Sequence, residues 1–334
     1  MKQERYSRQI LYKGIGQSGQ QKINQKTVLI VGMGALGTHL AEGLIRAGIG
    51  KLILVDRDYI EHSNLQRQTL FTEHDADQRI PKVVAARQML QAIRRDAVIE
   101  IYIEHVDAAF LEQHVPYVDL IMDATDNFET RMRLNDAAYR YRVPWIYGGV
   151  VQSTYVSAPF IPGKTPCFQC LVPQIPALNL TCDTVGVIQP AVTMTTSFQL
   201  RDGLKILTDT TIDAKLTYGD IWEGTHFTFG MGRLQREDCA TCGTQPYYPY
   251  LNERTSGFAV LCGRDTVQYQ HPDLSYTELK SFLDSRGIRY HMNDYLLQFK
   301  FEKYRIVAFQ EGRLLIHGLK DAAQAQVLIR KLFG

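Results

Sequence analysis

Apolar positions in the first 130 residues alternate between short unbroken runs and helical stripes. Val28 to Val31 and Leu52 to Val55 are apolar runs of strand length, the pattern of strands buried on both faces. Together they predict a β-α-β unit from Val28 to Asp56. Pro81 to Ile93 reads as a helix, because Pro is tolerated in a first turn and Val83, Val84, Met89, Leu90 and Ile93 recur at helical spacing. Strands are expected near Ile99 to Ile103 and Leu120 to Asp123. Before the first strand, Glu4 to Lys26 reads as partly helical, with Tyr6, Ile10 and Leu11 on one side. The alternation predicts an α/β fold with a doubly wound, mainly parallel sheet, whose ligand crevice lies beyond the carboxyl ends of its strands.

From Val143 the pattern changes. Pro144 to Gly149 and Gln152 to Phe160 read as strands joined by turns, so the sheet is expected to continue into antiparallel strands. Leu171 to Pro190 carries Pro173, Pro176 and Pro190 and reads as a long loop. A helix at about Ala191 to Leu207 precedes strands near Leu216 to Tyr218 and Thr225 to Phe229. Residues 1–243 thus form one expected domain, and 244–257, with Pro246 and Pro249, a linker. Residues 258–334 form a small α+β domain. Its expected elements are a strand at Asp265 to Tyr269, a helix opened by the capping box Ser275 to Glu278, three strands between Tyr295 and His317, and a last helix from Asp321 to Leu332.

At 334 residues and net charge +2, the chain has length for a large core and no charge excess for nucleic acid or an anionic membrane. No apolar run has the length of a membrane span, and the start, Met1-Lys2-Gln3-Glu4-Arg5, is charged, so a cytoplasmic protein is expected. Four of the six cysteines form two C-x-x-C pairs, Cys167/Cys170 and Cys239/Cys242. Two such pairs suit one tetrahedral zinc with a closed shell, hence a structural site. The alternatives are unrelated surface pairs or a redox C-x-x-C.

The first strand runs into Gly32-Met33-Gly34-Ala35-Leu36-Gly37, and the second ends at Asp56. Glycines there permit a tight turn, the following helix offers amides to phosphate, and the acid can accept ribose hydroxyls. Alone this suggests a dinucleotide site. It is followed by Asp58, Ser63-Asn64-Leu65-Gln66-Arg67-Gln68, Pro81-Lys82 and Asp123-Ala124-Thr125-Asp126-Asn127, cations, amides and carboxylates suited to a triphosphate and its magnesium. Arg67 and Lys82 are candidates to neutralise phosphate, Asp126 to ligate Mg²⁺, Asp56 to hold the ribose, and Asn64 and Asn127 to orient phosphate and backbone.

These residues resemble, in order, the adenylyltransferase family that includes MoeB, ThiF and the adenylation domains of ubiquitin-activating enzymes. The resemblance runs from Arg5 to about Gly243, through Trp145 to Gly149 and Thr184 to Val187, and leaves the last quarter uncovered. It implies a Rossmann-like fold, ATP and Mg²⁺ as ligands, and an Arg8 that reaches the nucleotide of the other subunit of a homodimer. Ala35 stands where the family commonly has glycine. The implied reaction is adenylation of the C-terminal carboxylate of a ubiquitin-like sulfur carrier ending in Gly-Gly, ahead of thiocarboxylate formation, with the sulfur supplied by a persulfide donor. Molybdopterin synthase activation is slightly preferred over the thiazole part of thiamine. Cys182, in the long loop, stands where some relatives carry a cysteine that bonds the activated carrier, so it is either a sulfur-transfer thiol or a nonessential cysteine. The tail is too short for the sulfurtransferase domain that ends some relatives. Competing classes are an NAD-dependent oxidoreductase, supported by the glycine loop and Asp56, and a noncatalytic carrier-binding scaffold.

Overall fold

The computed structural model describes residues 2–174, 186–252, 258–261, 265–271, 274–310, 312–319 and 321–333. Cys182 and Cys262 lie outside them, as do Thr184 and Val185. The chain divides into two compact units, 1–253 and 254–334.

Five parallel strands carry the crevice. The unbroken apolar runs Thr27–Val31 (β1), Lys51–Val55 (β2) and Leu120–Asp123 (β4) are buried along nearly their whole length, whereas the edge strand Val98–Tyr102 (β3) is only half covered. With Trp145–Val151 (β5), Thr154–Phe160 (β6), Lys215–Asp220 (β7) and Thr225–Gly230 (β8), they form one eight-stranded sheet of order β3-β2-β1-β4-β5-β6-β7-β8. β1 pairs in parallel with both β2 and β4, so the winding reverses between β1 and β4, where such sheets open a ligand crevice. From β5 to β8 every pairing is antiparallel, as the change in sequence pattern at Val143 predicts.

Ser7–Leu11 (α1) and Gly16–Ile23 (α2) precede β1. Tyr6 is buried as expected, but Leu11 is 71% exposed, so the apolar side of α1 is shorter than the sequence suggests. Ala35–Ala47 (α3) and Lys82–Ile93 (α4) follow β1 and precede β3, and Ala108–His114 (α5) and Phe128–Tyr141 (α6) flank β4. Gln189–Leu207 (α7) packs on α3 and across β5 and β6. Residues 244–252, expected in a linker, belong to the first unit. Thr244 N donates to Glu237 O at 3.0 Å, Tyr247 N to Ala240 O at 2.9 Å, and Pro249–Asn252 makes a helical turn against α6.

The second unit is a six-stranded antiparallel sheet of Phe258–Leu261 (β9), Thr266–Gln270 (β10), Tyr290–Met292 (β11), Leu296–Phe301 (β12), Tyr304–Phe309 (β13) and Arg313–His317 (β14), in the order β11-β12-β13-β14-β10-β9. Tyr276–Ser285 (α8) and Ala322–Phe333 (α9) lay Leu279, Leu283, Leu328 and Leu332 on one face of it, against Val267, Phe299, Ile306 and Ile316. The capping box at Ser275 and Glu278 is formed.

Candidate nucleotide site and candidate metal centre

The turn from β1 into α3 depends on two glycines for different reasons. Gly32 has φ +94°, and a Cβ on it would meet Ala124 O at 2.6 Å. A Cβ on Gly37 would fall 2.0 Å from Gly32 O, so glycine lets α3 start tight against its own loop. Gly34 is different, since the nearest atom to its missing Cβ is Gln68 Nε2 at 3.8 Å. The open space over Gly34 lies at the amide end of α3, where the partial positive charge favours an anion. Ala35, the first residue of α3, does not close it.

Asp56 follows β2 and is half-buried. Its Oδ2 accepts from Met33 N in the glycine loop at 2.6 Å, and its Oδ1 from Asp58 N at 2.7 Å. Each oxygen keeps a further lone pair. Burial pushes the Asp56 pKa above the ordinary aspartate value against the pull of Lys82, and Asp58 adds to the rise.

Lys82 opens α4, and its backbone N donates to Asp58 O at 2.9 Å. Its side chain is 3% exposed, with Nζ 3.4 Å from Asp58 Oδ2, the long end of hydrogen-bond range. The turn after His62 brings Gln68 beside Gly34. Gln68 is buried and its Oε1 has no hydrogen-bond partner among the described residues. An orphaned buried acceptor costs about 1–3 kcal/mol, a cost that a ligand donor would remove. Arg67 Nη1 donates to Ser63 O at 2.8 Å, and Ser63 itself is exposed. Asn64 is buried and caps its own short helical turn, Oδ1 accepting from Glu61 N at 3.0 Å.

Beyond β4, Asp126 is exposed. Asn127 caps α6, with Oδ1 accepting from Thr130 N at 3.0 Å. Its acceptor oxygen is thus engaged in the backbone, and Asp126 is released from that duty. Asp123, which the sequence reading left without a role, is fully buried under this loop. It accepts from Thr125 N at 2.9 Å, Thr125 Oγ1 at 2.7 Å and Arg131 Nε at 3.0 Å. Arg131 also donates to Gly148 O at 3.2 Å, and its guanidinium lies over the Tyr147 ring. The loop that presents Asp126 is thus fixed from below.

Glycine loop, Asp56, Asp58, Lys82 and Gln68 therefore converge at the carboxyl ends of β1 and β2, with Asp126 at the end of neighbouring β4. Arg8 does not join them. It is exposed on α1, whose Gln9 donates to Ala47 O at 2.9 Å, at the carboxyl end of α3. The glycine loop is at the other end of that 13-residue helix, about 18 Å away at about 1.5 Å per residue.

The four cysteines meet from two distant segments. Cys167 and Cys239 have their sulfurs 3.5 Å apart, Cys170 and Cys242 3.6 Å apart, and all four sulfurs lie within 4.8 Å of one another. Tetrahedral ligands about 2.3 Å from a zinc ion are themselves separated by about 3.8 Å, so the set fits one ion with no position left over. Three of the four are buried.

A family model described as the ThiF family matches residues 6–241. The chain belongs to the ThiF family. It is an enzyme of that family, and several curated relatives are named sulfur carrier protein adenylyltransferases. The sulfur carrier protein ThiS adenylyltransferase of Bacillus subtilis is 39% identical over 334 residues, 99% of each chain. The SAMP-activating enzyme E1 of Haloferax volcanii is 30% identical over 72% of this chain and 88% of its own. Among solved structures, E. coli MccB with ATP superposes with a TM-score of 0.62 at 26% identity, over 72% of this chain and 74% of that one. The fold and family read from the motifs are thus borne out, and the match to the Bacillus relative also covers the second unit.

Sequence reasoning missed Asp123, Arg131 and Gln199. Gln199 comes from the middle of α7 and donates to Asp123 O at 2.8 Å, across 76 residues of chain. The signal available in advance was a buried-strand aspartate followed by an arginine two turns on. Among the described residues no helix is long and apolar enough to cross a membrane.

Proposed function

We propose that this enzyme uses ATP to adenylate the C-terminal carboxylate of a ubiquitin-like sulfur carrier, releasing pyrophosphate, and that the carrier is of the ThiS type. The observation that carries the reaction is the convergence of an anion-accepting glycine loop with Asp56, Lys82 and the Asp126 loop at one switch point. The full-length similarity to a ThiS adenylyltransferase, which spans the second unit too, supports the thiamine carrier over the molybdopterin carrier preferred from sequence. The NAD-dependent reading draws no support from these relatives.

The geometry supports the following roles. The amides over Gly34 and the α3 dipole receive phosphate oxygens, and Asp56 accepts the ribose hydroxyls on its free lone pairs. Lys82 is a buried point charge whose contact with Asp58 is long, 3.4 Å, so a phosphate can take it over with little desolvation left to incur. Arg67 exchanges Ser63 O for the same anion. Asp126 would hold Mg²⁺, which when bound neutralises the triphosphate and orients its leaving group. The carrier carboxylate then attacks the α-phosphorus, the bond to the bridging oxygen breaks, and pyrophosphate leaves with its electron pair. Positioning and charge neutralisation are what the reaction requires of the protein.

Arg8, at the far end of α3, serves the nucleotide of a second copy, which makes the enzyme a homodimer. The four cysteines hold zinc as a structural staple. Reduced cysteines in a ligand set agree with a cytoplasmic location. Cys182 lies outside the described residues. Adenylation uses no thiol, so Cys182→Ala retains pyrophosphate exchange whether or not thiocarboxylate formation, by this thiol or by a persulfide donor, declines.

ATP–pyrophosphate exchange measured with purified ThiS-type and MoaD-type carriers tests the reading. Exchange is expected to depend on the ThiS-type carrier and on its terminal glycine. Exchange with the MoaD-type carrier alone reverses the pathway assignment, and no exchange with either removes the function.

A further inference from the structure

We propose that Asn135, Asp136 and Thr241 are positioning residues that hold the two cysteine knuckles in register for one metal ion, an inference that rests on the four-cysteine zinc reading. Asn135 and Asp136 are consecutive on α6 and both 0% exposed. An amide beside a carboxyl group in a core is costly unless its hydrogen bonds are made. Here they are made to the knuckles.

Asn135 Oδ1 accepts from Phe168 N at 2.8 Å, and Phe168 lies between Cys167 and Cys170. Asn135 Nδ2 donates to Thr241 Oγ1 at 3.2 Å, and Thr241 lies between Cys239 and Cys242. One amide therefore bonds both knuckles, which are 72 residues apart in sequence. Thr241 Oγ1 has two acceptors in reach, Asp136 Oδ1 and, at 3.2 Å, Gln169 Oε1 of the first knuckle; its single proton goes to the closer, Asp136, whose Oδ2 accepts from Tyr250 N at 2.9 Å. Every link in the chain Asn135 to Thr241 to Asp136 has one polarity. Flipping the Asn135 amide would set its NH₂ against the Phe168 N–H, so the orientation is determined by the partners. None of the three belongs to the four-sulfur set; they fix where the backbone of each knuckle sits, and hence whether four sulfurs close on one point. Groups that orient ligands in this way typically alter metal affinity 10- to 100-fold.

The test is zinc transfer from the purified full chain to a colorimetric chelator, compared for wild type, Thr241→Val, Thr241→Ser and Asn135→Asp. Valine has the shape of threonine without the hydroxyl. Serine keeps the hydroxyl, and aspartate keeps the acceptor for Phe168 N while losing the donor to Thr241. Thr241→Val and Asn135→Asp are expected to lose zinc at a chelator concentration roughly 10- to 100-fold lower than wild type, and Thr241→Ser to hold it as wild type does. A general packing defect would not be rescued by serine. Should Thr241→Val fail to fold, the Ser and Asp variants still decide the matter. Wild-type zinc retention in Thr241→Val or Asn135→Asp, or loss in Thr241→Ser equal to that in valine, overturns the positioning role while leaving the zinc site standing. A wild-type chain without metal overturns both.

Discussion

Arg131 Nε meets Asp123 Oδ2 at 3.0 Å, and the carboxylate it meets is fully buried at the end of β4. Burial pushes the Asp123 pKa above the ordinary aspartate value even with Arg131 and Thr125 pulling it down. Removing the arginine leaves that carboxylate without its compensating charge. Arg131→Ala is expected to lose about 3–5 kcal/mol of stability, read by denaturant unfolding. The sign of its pH dependence also follows. A carboxyl with a raised folded pKa contributes stability that is present below the unfolded value and lost as pH rises through the folded value. The deficit of Arg131→Ala against wild type should therefore be largest at neutral pH and shrink on acidification, as Asp123 takes up a proton. A deficit that grows towards acid would contradict this account.

Asp56 gives a second pH prediction, this time in binding. It is the ionised form that accepts both ribose hydroxyls, and burial holds its pKa above the ordinary aspartate value. ATP affinity should therefore fall with decreasing pH, and begin to fall at a higher pH than an ordinary aspartate would give. Asp56→Asn should weaken binding by about 1.5–3 kcal/mol, the worth of a hydrogen bond to a charged group, and flatten that acid limb. Calorimetric titration of ATP across pH checks both.

Asp126 is exposed, and the α6 cap beside it is made by Asn127. Asp126→Ala is accordingly expected to leave the unfolding free energy within about 0.5 kcal/mol of wild type while abolishing carrier-dependent pyrophosphate exchange. Normal exchange at saturating magnesium would exclude it as the metal ligand.

Sequence reading recovered the elements that carry the crevice because their signals are local. Glycines at 32 and 37, an acid closing the second apolar run and a Pro-Lys helix start are each fixed by their immediate neighbours. The switch from parallel to antiparallel pairing was visible at Val143 for the same reason. What stayed hidden depends on contacts distant in sequence. Asn64 and Asn127 read as orienting phosphate and backbone, and each places its acceptor oxygen on a backbone amide three residues away, a partner that spacing alone does not single out. The edge of the linker was misplaced because Thr244 and Tyr247 are tied down by the second knuckle, and nothing in their own composition announces it. β11 is three residues long, too short for a periodicity.

The distance between Arg8 and the glycine loop leads to a mixing experiment. Arg8→Ala and Arg67→Ala proteins should each be inactive in pyrophosphate exchange, yet a mixture allowed to exchange subunits should recover part of the wild-type rate, because one of the two sites in a hybrid is intact. Failure to recover despite demonstrated subunit exchange would show that the two arginines serve the same chain.

For the metal centre, elemental analysis is expected to find about one zinc per chain. Cys170→Ser and Cys242→Ser should lower metal content and melting temperature together. Metal-free wild type that melts like both variants would refute the site.

Bringing sulfurs together across 72 residues also acts on the chain when it is not folded. An ion that joins Cys167 to Cys239 closes a loop containing α7, β7 and β8, and a cross-link over a loop of that size removes about 4 kcal/mol worth of conformational freedom from the denatured ensemble. Much of what the ion contributes would then be invisible in native contacts. It would appear instead as a faster loss of the antiparallel half of the sheet to proteases after chelation, and as a requirement, during synthesis, that the second knuckle emerge before the first can be tied off.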